Sequence, residues 1–292
     1  RRQDADVSRP QRINTTQNRT YDEQNPFYPS DVVLRRLRMV ERRPGPESRR
    51  TSPNRAAAPE HSAYFGRRSV QTPTLDELAR QGFRFTQFHN TSKSYPSRSC
   101  LLTGLYAQQN GYFKDARGPL ENSVTLGEYL KTAGYTTLWS GKHHGAENPR
   151  TRGFDHFYGL RDGACNYFNP GCQRDGEGVP AQKVKNRFWC VEKQTYAPFT
   201  PKEKDFYTTD YFTNYALEWL DEYAGSEKPF FLYLAYNAPH DPLMAWPEDI
   251  AKYEGKYRDG YEAIRRARYE KQRSLGLIDD RYRLSEATFR KW

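Results

Sequence analysis

The sequence predicts an α/β fold with a mostly parallel sheet, because three times a helical stripe of apolar residues is followed directly by an apolar strand. Each of those predicted strands empties into a polar cluster. Ahead of all three units, the first sixty or so residues show no periodicity of either kind.

That leading stretch, residues 1–63, reads as a disordered tail. Its first sixty residues carry thirteen Arg against eight acidic residues and no Lys, a net +5 out of +10 for the chain. The acids are interspersed, and no helical stripe or interleaved aromatics mark a nucleic-acid arm. Mean hydropathy is −1.04 while aromatics reach 15 %, which suits a globular body diluted by a polar segment.

The second predicted domain covers residues 64–292. Thr72-Pro73 supplies an N-cap and a first-turn proline, Leu75, Leu78 and Ala79 follow at helical spacing, and Gly82 stops the helix. Phe83 to Phe88 is expected as a strand with Phe83 and Phe85 on one face. After a loop at Ser92–Tyr95, Ser97 to Gly104 is expected as a helix, with Ser94 just before its N-terminus. In the second unit Leu126, Tyr129, Leu130 and Ala133 form the stripe, Gly134 ends it, and Tyr135–Trp139 is the strand.

The third unit has the clearest pattern. Tyr211, Phe212, Tyr215, Ala216, Trp219, Leu220 and Tyr223 share one helical face, and Phe230–Tyr236 is a continuous apolar run of the kind covered on both faces. The interval between Gly145 and Tyr207 is expected as a long excursion with little regular structure. Residues 246–277 read as one or two surface helices.

Ligands of open α/β sheets bind beyond the carboxyl ends of the strands. The polar clusters there contain Ser94 and Arg98, Lys142 and His144, and His240. Arg98, Lys142, His144 and His240 offer positive charge and donors suited to a tetrahedral oxyanion. A nucleophile at Ser94, beside a helix N-terminus, suits attack on a sulfuryl or phosphoryl centre. Taken singly, a lone His, a lone Lys and a Ser-Pro-Ser turn are more often structural. Their common placement at strand ends makes them one candidate site.

The run Ser94-Tyr95-Pro96-Ser97-Arg98-Ser99-Cys100-Leu101-Leu102-Thr103-Gly104 resembles the sulfatase signature of Cys or Ser, any residue, Pro-Ser-Arg, three residues, then Leu-Thr-Gly. Gly141-Lys142-His143-His144-Gly145, Arg152-Gly153-Phe154-Asp155 and Pro229 to His240 are similar to arylsulfatase segments in the same order. The resemblance runs from about Tyr64 to Asp279 and implies a partial alkaline-phosphatase-like sandwich. It implies that Ser94 is the residue a maturase oxidises to formylglycine, with Pro96 and Arg98 as recognition elements and Arg98 also a catalytic residue that steadies the hydrate. It further implies that Lys142 and His240 contact the sulfate group, that His144 holds or deprotonates the hydrated nucleophile, and that the substrate is a sulfated small molecule or glycan.

The family resemblance also implies an active-site calcium, held by an Asp-Asp pair at the end of an opening strand and by an Asp-Asn pair further on. Asp4, Asp6, Asp22 and Asp31 are isolated, and Asp279-Asp280 follows a surface helix, so no metal ligand is assigned. This pattern is the expectation for a chain truncated at both ends, with a non-catalytic binder of sulfated glycans as the rival reading. A phosphohydrolase using Ser94 directly, or a nucleic-acid binder working through the tail, ranks below these. No nucleic-acid or membrane partner is predicted. Family members are often exported, but no signal-peptide pattern or membrane-length apolar run is visible, so localisation is not assigned. Cys165, Cys172 and Cys190 leave both a disulfide and reduced thiols open.

Overall fold

The computed structural model describes residues 72–85, 87–113, 118–171 and 188–288. The predicted tail and Cys172 lie outside them. The described residues fall into two compact units, one of residues 90–244 and one of residues 72–89 with 245–288.

In the smaller unit, α1 spans Pro73–Gln81, as the Thr72-Pro73 start predicts. Thr72 turns its hydroxyl onto the Asp76 carboxylate at 3.1 Å and caps no backbone N–H. The expected strand at Phe83–Phe88 does not form: Phe83, Phe85 and Phe88 are exposed in irregular chain. Alternation makes a strand only where a neighbour pairs its backbone, and among the described residues none does. Helices Pro247–Ala251 and Gly260–Ser274 complete this unit at the positions expected for surface helices.

The larger unit is built on a five-stranded sheet. Its helices are α2 (Ser94–Thr103), α3 (Leu126–Thr132) and α4 (Thr208–Tyr223). Its strands are β1 (Thr136–Gly141), β2 (His156–Leu160), β3 (Trp189–Val191), β4 (Gln194–Tyr196) and β5 (Phe230–Ala235), in the order β4-β3-β2-β1-β5. β1 runs parallel to β2 and to β5, with Leu138 opposite His156 and Gly141 opposite Ala235. β3 and β4 add an antiparallel hairpin beyond β2.

Side chains alternate across the sheet. Leu138, Tyr158, Leu160 and Trp189 meet Phe212 and Trp219 of α4 on one face. Trp139 and Phe157 meet Phe154 and Leu102 of α2 on the other. Both faces are therefore covered, as in a sandwich of layers, and truncating a core aromatic such as Trp139 to Ala would cost about 3–5 kcal/mol.

Two sequence expectations change here. The interval after Gly145 contains a central strand, β2, and the β3–β4 hairpin, so it is not merely an irregular excursion. β5 is an edge strand whose first five residues are only half-buried, whereas its apolar run predicted full cover. At the carboxyl ends the three parallel strands close up tightly. A Cβ on Gly141 would sit 2.1 Å from the Ala235 carbonyl oxygen, and Gly141 has φ +124°, so glycine is required there.

Candidate active site

The site begins at the N-terminus of α2. Lys93 is the extended N-cap, and Ser94 is the first helical residue, one turn earlier than the proline-containing sequence suggests. Residues at both fixed and variable places of the Ser94–Gly104 motif hold this helix in place. Tyr95, Pro96, Ser99 and Leu102 are buried. Ser99 donates its hydroxyl to the Pro96 carbonyl at 2.8 Å, and Ser97 Oγ lies 2.7 Å from Thr91 Oγ1. Thr103 Oγ1 accepts from Asn110 Nδ2 at 3.1 Å, and Gly104 ends the helix in the left-handed conformation.

The chain leaving β1 is stitched between its two neighbours. Lys142 N–H donates to the Ala235 carbonyl at 2.6 Å, and His143 N–H to the Leu160 carbonyl at 2.7 Å. Gly145 N–H donates to the Arg161 carbonyl at 3.1 Å. Between them His144 takes a left-handed φ of +63°. Its Nδ1 lies 2.9 Å from Ser94 Oγ, and the Tyr95 ring meets the imidazole edge-on at 5.7 Å.

Arg98, one turn along α2 from Ser94, donates Nη1 to the Lys142 carbonyl at 3.0 Å. Burial lowers the Arg98 guanidinium from its ordinary value. Lys142 is 4 % exposed, and burial, reinforced by the Arg98 charge, lowers its ammonium to about 8. His143 packs edge-on against Trp139 at 4.9 Å. Its burial, with the charges of Arg98, His144 and Arg161 behind it, pushes the imidazole down to about 3. The Glu147 backbone pulls the other way without completing a hydrogen bond to either ring nitrogen.

His240 sits five residues beyond β5, at the same edge where Lys142 leaves β1. Its carbonyl accepts from the Tyr167 hydroxyl, and its Nδ1–H donates to the Asp241 carbonyl at 2.7 Å. Asn237 anchors this loop. Its Nδ2 reaches Cys165 Sγ at 3.2 Å, and its Oδ1 accepts from Thr208 Oγ1 at 3.0 Å. The structure thus joins Ser94 to His144 and Arg98 to Lys142, and sets His240 on the adjacent strand end. Sequence patterning did not single out Tyr95, Tyr167 or Asn237. Tyr95 fills a variable place in the motif, and the other two act through a phenol and an amide that look like ordinary loop residues.

Among the described residues, no three His, Cys, Asp or Glu side chains come together to hold a metal ion. The groups around Ser94 are cationic or neutral, and a calcium ion needs several hard oxygen ligands. Among the described residues, the donor set around Ser94 does not fit calcium.

The sulfatase family profile matches residues 54–282. The chain belongs to the sulfatase family. It is 32 % identical to an arylsulfatase of Klebsiella aerogenes over 228 residues, 72 % of this chain and 47 % of that protein. An N-acetylgalactosamine-6-sulfatase of Canis lupus familiaris is 29 % identical over 77 % of this chain and 45 % of its own length. The solved structure of BT4656 in complex with its substrate D-glucosamine-2-N,6-O-disulfate superposes with a TM-score of 0.50 and 26 % identity. It covers 65 % of this chain and 34 % of that one. The sulfatase chain therefore spans about half the length, or less, of the relatives it matches. Among its described residues, no helix is long and apolar enough to cross a membrane.

Proposed function

We propose that this chain carries the nucleophile-bearing part of a sulfuric ester hydrolase, with Ser94 oxidised to formylglycine as the attacking group. The observation that carries the reading is the 2.9 Å contact between Ser94 Oγ and His144 Nδ1 at the N-terminus of α2. A maturase that recognises Pro96 and Arg98 supplies the oxidant and removes two hydrogens from the Ser94 side chain. The aldehyde hydrate then attacks sulfur while His144 takes its proton. The S–O bond to the alcohol breaks, and the alcohol leaves with a proton. The hemiacetal sulfate collapses, its C–O bond breaks to regenerate the aldehyde, and sulfate departs. Lys142, ammonium at neutral pH, and His240 hold the sulfate oxygens.

The substrate class is a sulfated small molecule or glycan, and a sulfated amino sugar of the kind BT4656 binds is the first to try. Mass spectrometry of the Ser94 peptide tests the nucleophile. Loss of about 2 Da, together with turnover of an aryl sulfate that Ser94→Ala abolishes, is the expected result. An unmodified serine and no turnover would overturn it.

A second reading takes the groups around Ser94, which among the described residues are cationic or neutral, as an anion-binding surface: a sulfatase-like protein that binds sulfated glycans without cleaving them. Retained affinity of Ser94→Ala for a sulfated polymer, with no hydrolysis by the parent chain, would select it.

A further inference from the structure

We propose that Gly163 is a positioning residue for this site: the space left by its missing side chain is where the His144 imidazole lies when Nδ1 meets Ser94. The proposal rests on the reading of Ser94 and His144 given above. A Cβ built on Gly163 would stand 2.5 Å from Cε1, 2.6 Å from Nε2 and 2.9 Å from Nδ1 of His144. These are its three nearest neighbours, and all belong to one ring. Contacts that short do not persist, so one group must move.

The geometry decides which. The backbone on either side of His144 is held by the bonds from His143 N–H to Leu160 and from Gly145 N–H to Arg161. Its left-handed φ leaves little freedom for a non-glycine residue to shift. Tyr95, 7 % exposed and itself edge-on to Tyr112, packs edge-on to the same ring at 5.7 Å. The imidazole thus packs against both the Tyr95 ring and the Gly163 backbone. Gly163 itself lies outside the left-handed region, so an alanine meets no strain of its own. The cost falls on the rotamer of His144, and tipping the ring breaks its alignment with Ser94. The glycine serves its neighbour, not its own backbone.

The test uses the full chain with histidine side chains isotopically labelled, in parent, Ser94→Ala, Gly163→Ala and His144→Ala forms. In Gly163→Ala the imidazole resonances of His144 are expected to move in the same direction as in Ser94→Ala, with His156, at the opposite end of β2, unchanged. Unmoved His144 signals overturn the proposal. In converted protein, Gly163→Ala lowers kcat for an aryl sulfate about tenfold or more with KM little changed, and costs nothing further in a His144→Ala background. An equal loss in both backgrounds also overturns it. If Gly163→Ala alone unfolds, Gly163→Ala with His144→Ala is expected to refold, because the obstructing ring is gone. Failure of that rescue counts against the proposal. A chain that is neither converted nor active, yet shows the coupled His144 shift, retains the positioning role and loses the hydrolase reading.

Discussion

His144 Nδ1 lies 2.9 Å from Ser94 Oγ, joining a helix N-terminus to the end of a strand across fifty residues of chain. On the hydrolase reading, His144 handles the proton of the hydrated nucleophile while other groups hold the sulfate. His144→Ala is then expected to lower kcat for an aryl sulfate by about 10²–10⁴-fold with a small change in KM. Steady-state kinetics on protein with verified Ser94 conversion checks this. A large rise in KM at unchanged kcat would instead place His144 among the sulfate-binding groups.

On the hydrolase reading, in which Lys142 holds a sulfate oxygen, its ammonium, lowered to about 8, makes sulfate binding pH-dependent. A sulfate oxygen is attracted by the protonated form, so affinity holds below about pH 8 and falls above it, by up to about tenfold per pH unit. Lys142→Met is expected to bind sulfate more weakly at neutral pH and to lose that alkaline step. Stability changes in the opposite sense. The folded pKa is below the ordinary lysine value, so between about 8 and 10.5 the unfolded chain binds more protons and stability rises with pH. Sulfate titrations by calorimetry from pH 7 to 10 check the binding; denaturant melts over the same range check the stability.

The strongly periodic elements were legible in the sequence. The Tyr211–Tyr223 stripe and the apolar runs of β1 and β5 announce themselves by their periodicity and length, although β5 is only half-buried. Lys142, His144 and His240 were legible as polar groups following β1 and β5; Ser94 and Arg98 were read the same way, but the strand expected before them does not form and they stand on α2 instead. β2 was not, because His156–Leu160 is five residues long, contains Gly159 and sits among Gly, Asn and Pro. Phe83–Phe88 shows the converse: its alternation is real, but pairing is a property of two segments. Gly163 was invisible for a related reason. Its role depends on where the ring of His144 lies, nineteen positions earlier in the chain.

His143 is expected to make the larger unit acid-sensitive. Its imidazole, down at about 3, stays neutral in the fold while the unfolded residue protonates near 6.5. Between those values the unfolded chain binds the extra proton, so stability is full above about pH 6.5 and falls as the pH drops. His143→Phe keeps a ring against Trp139 and removes the titration. Its melts should lose less stability between pH 7 and 5 than those of the parent. An identical acid slope in the two proteins would assign the effect to other groups.

Arg152 is the structural cation of this unit. Its guanidinium donates to Glu128 Oε1 at 2.8 Å, Glu147 Oε1 at 2.8 Å, and the carbonyls of Leu120 at 3.0 Å and Ser123 at 2.8 Å. Burial opposes its charge, but the two carboxylates outweigh it and raise its pKa. Glu128 closes the capping box of α3 with Thr125, and Glu147 lies three residues beyond His144, so one planar fork braces a helix start and the loop behind the site. Lys has no such fork and could not serve all four acceptors. Arg152→Ala is expected to cost about 2–4 kcal/mol, because two partly buried carboxylates and two carbonyls each lose a donor together, the carboxylates keeping only the Leu120 and Thr125 N–H groups. Arg152→Lys should recover only part of that in denaturant melts. A loss below about 1 kcal/mol for Arg152→Ala would mean that water replaces the guanidinium and that this brace is dispensable.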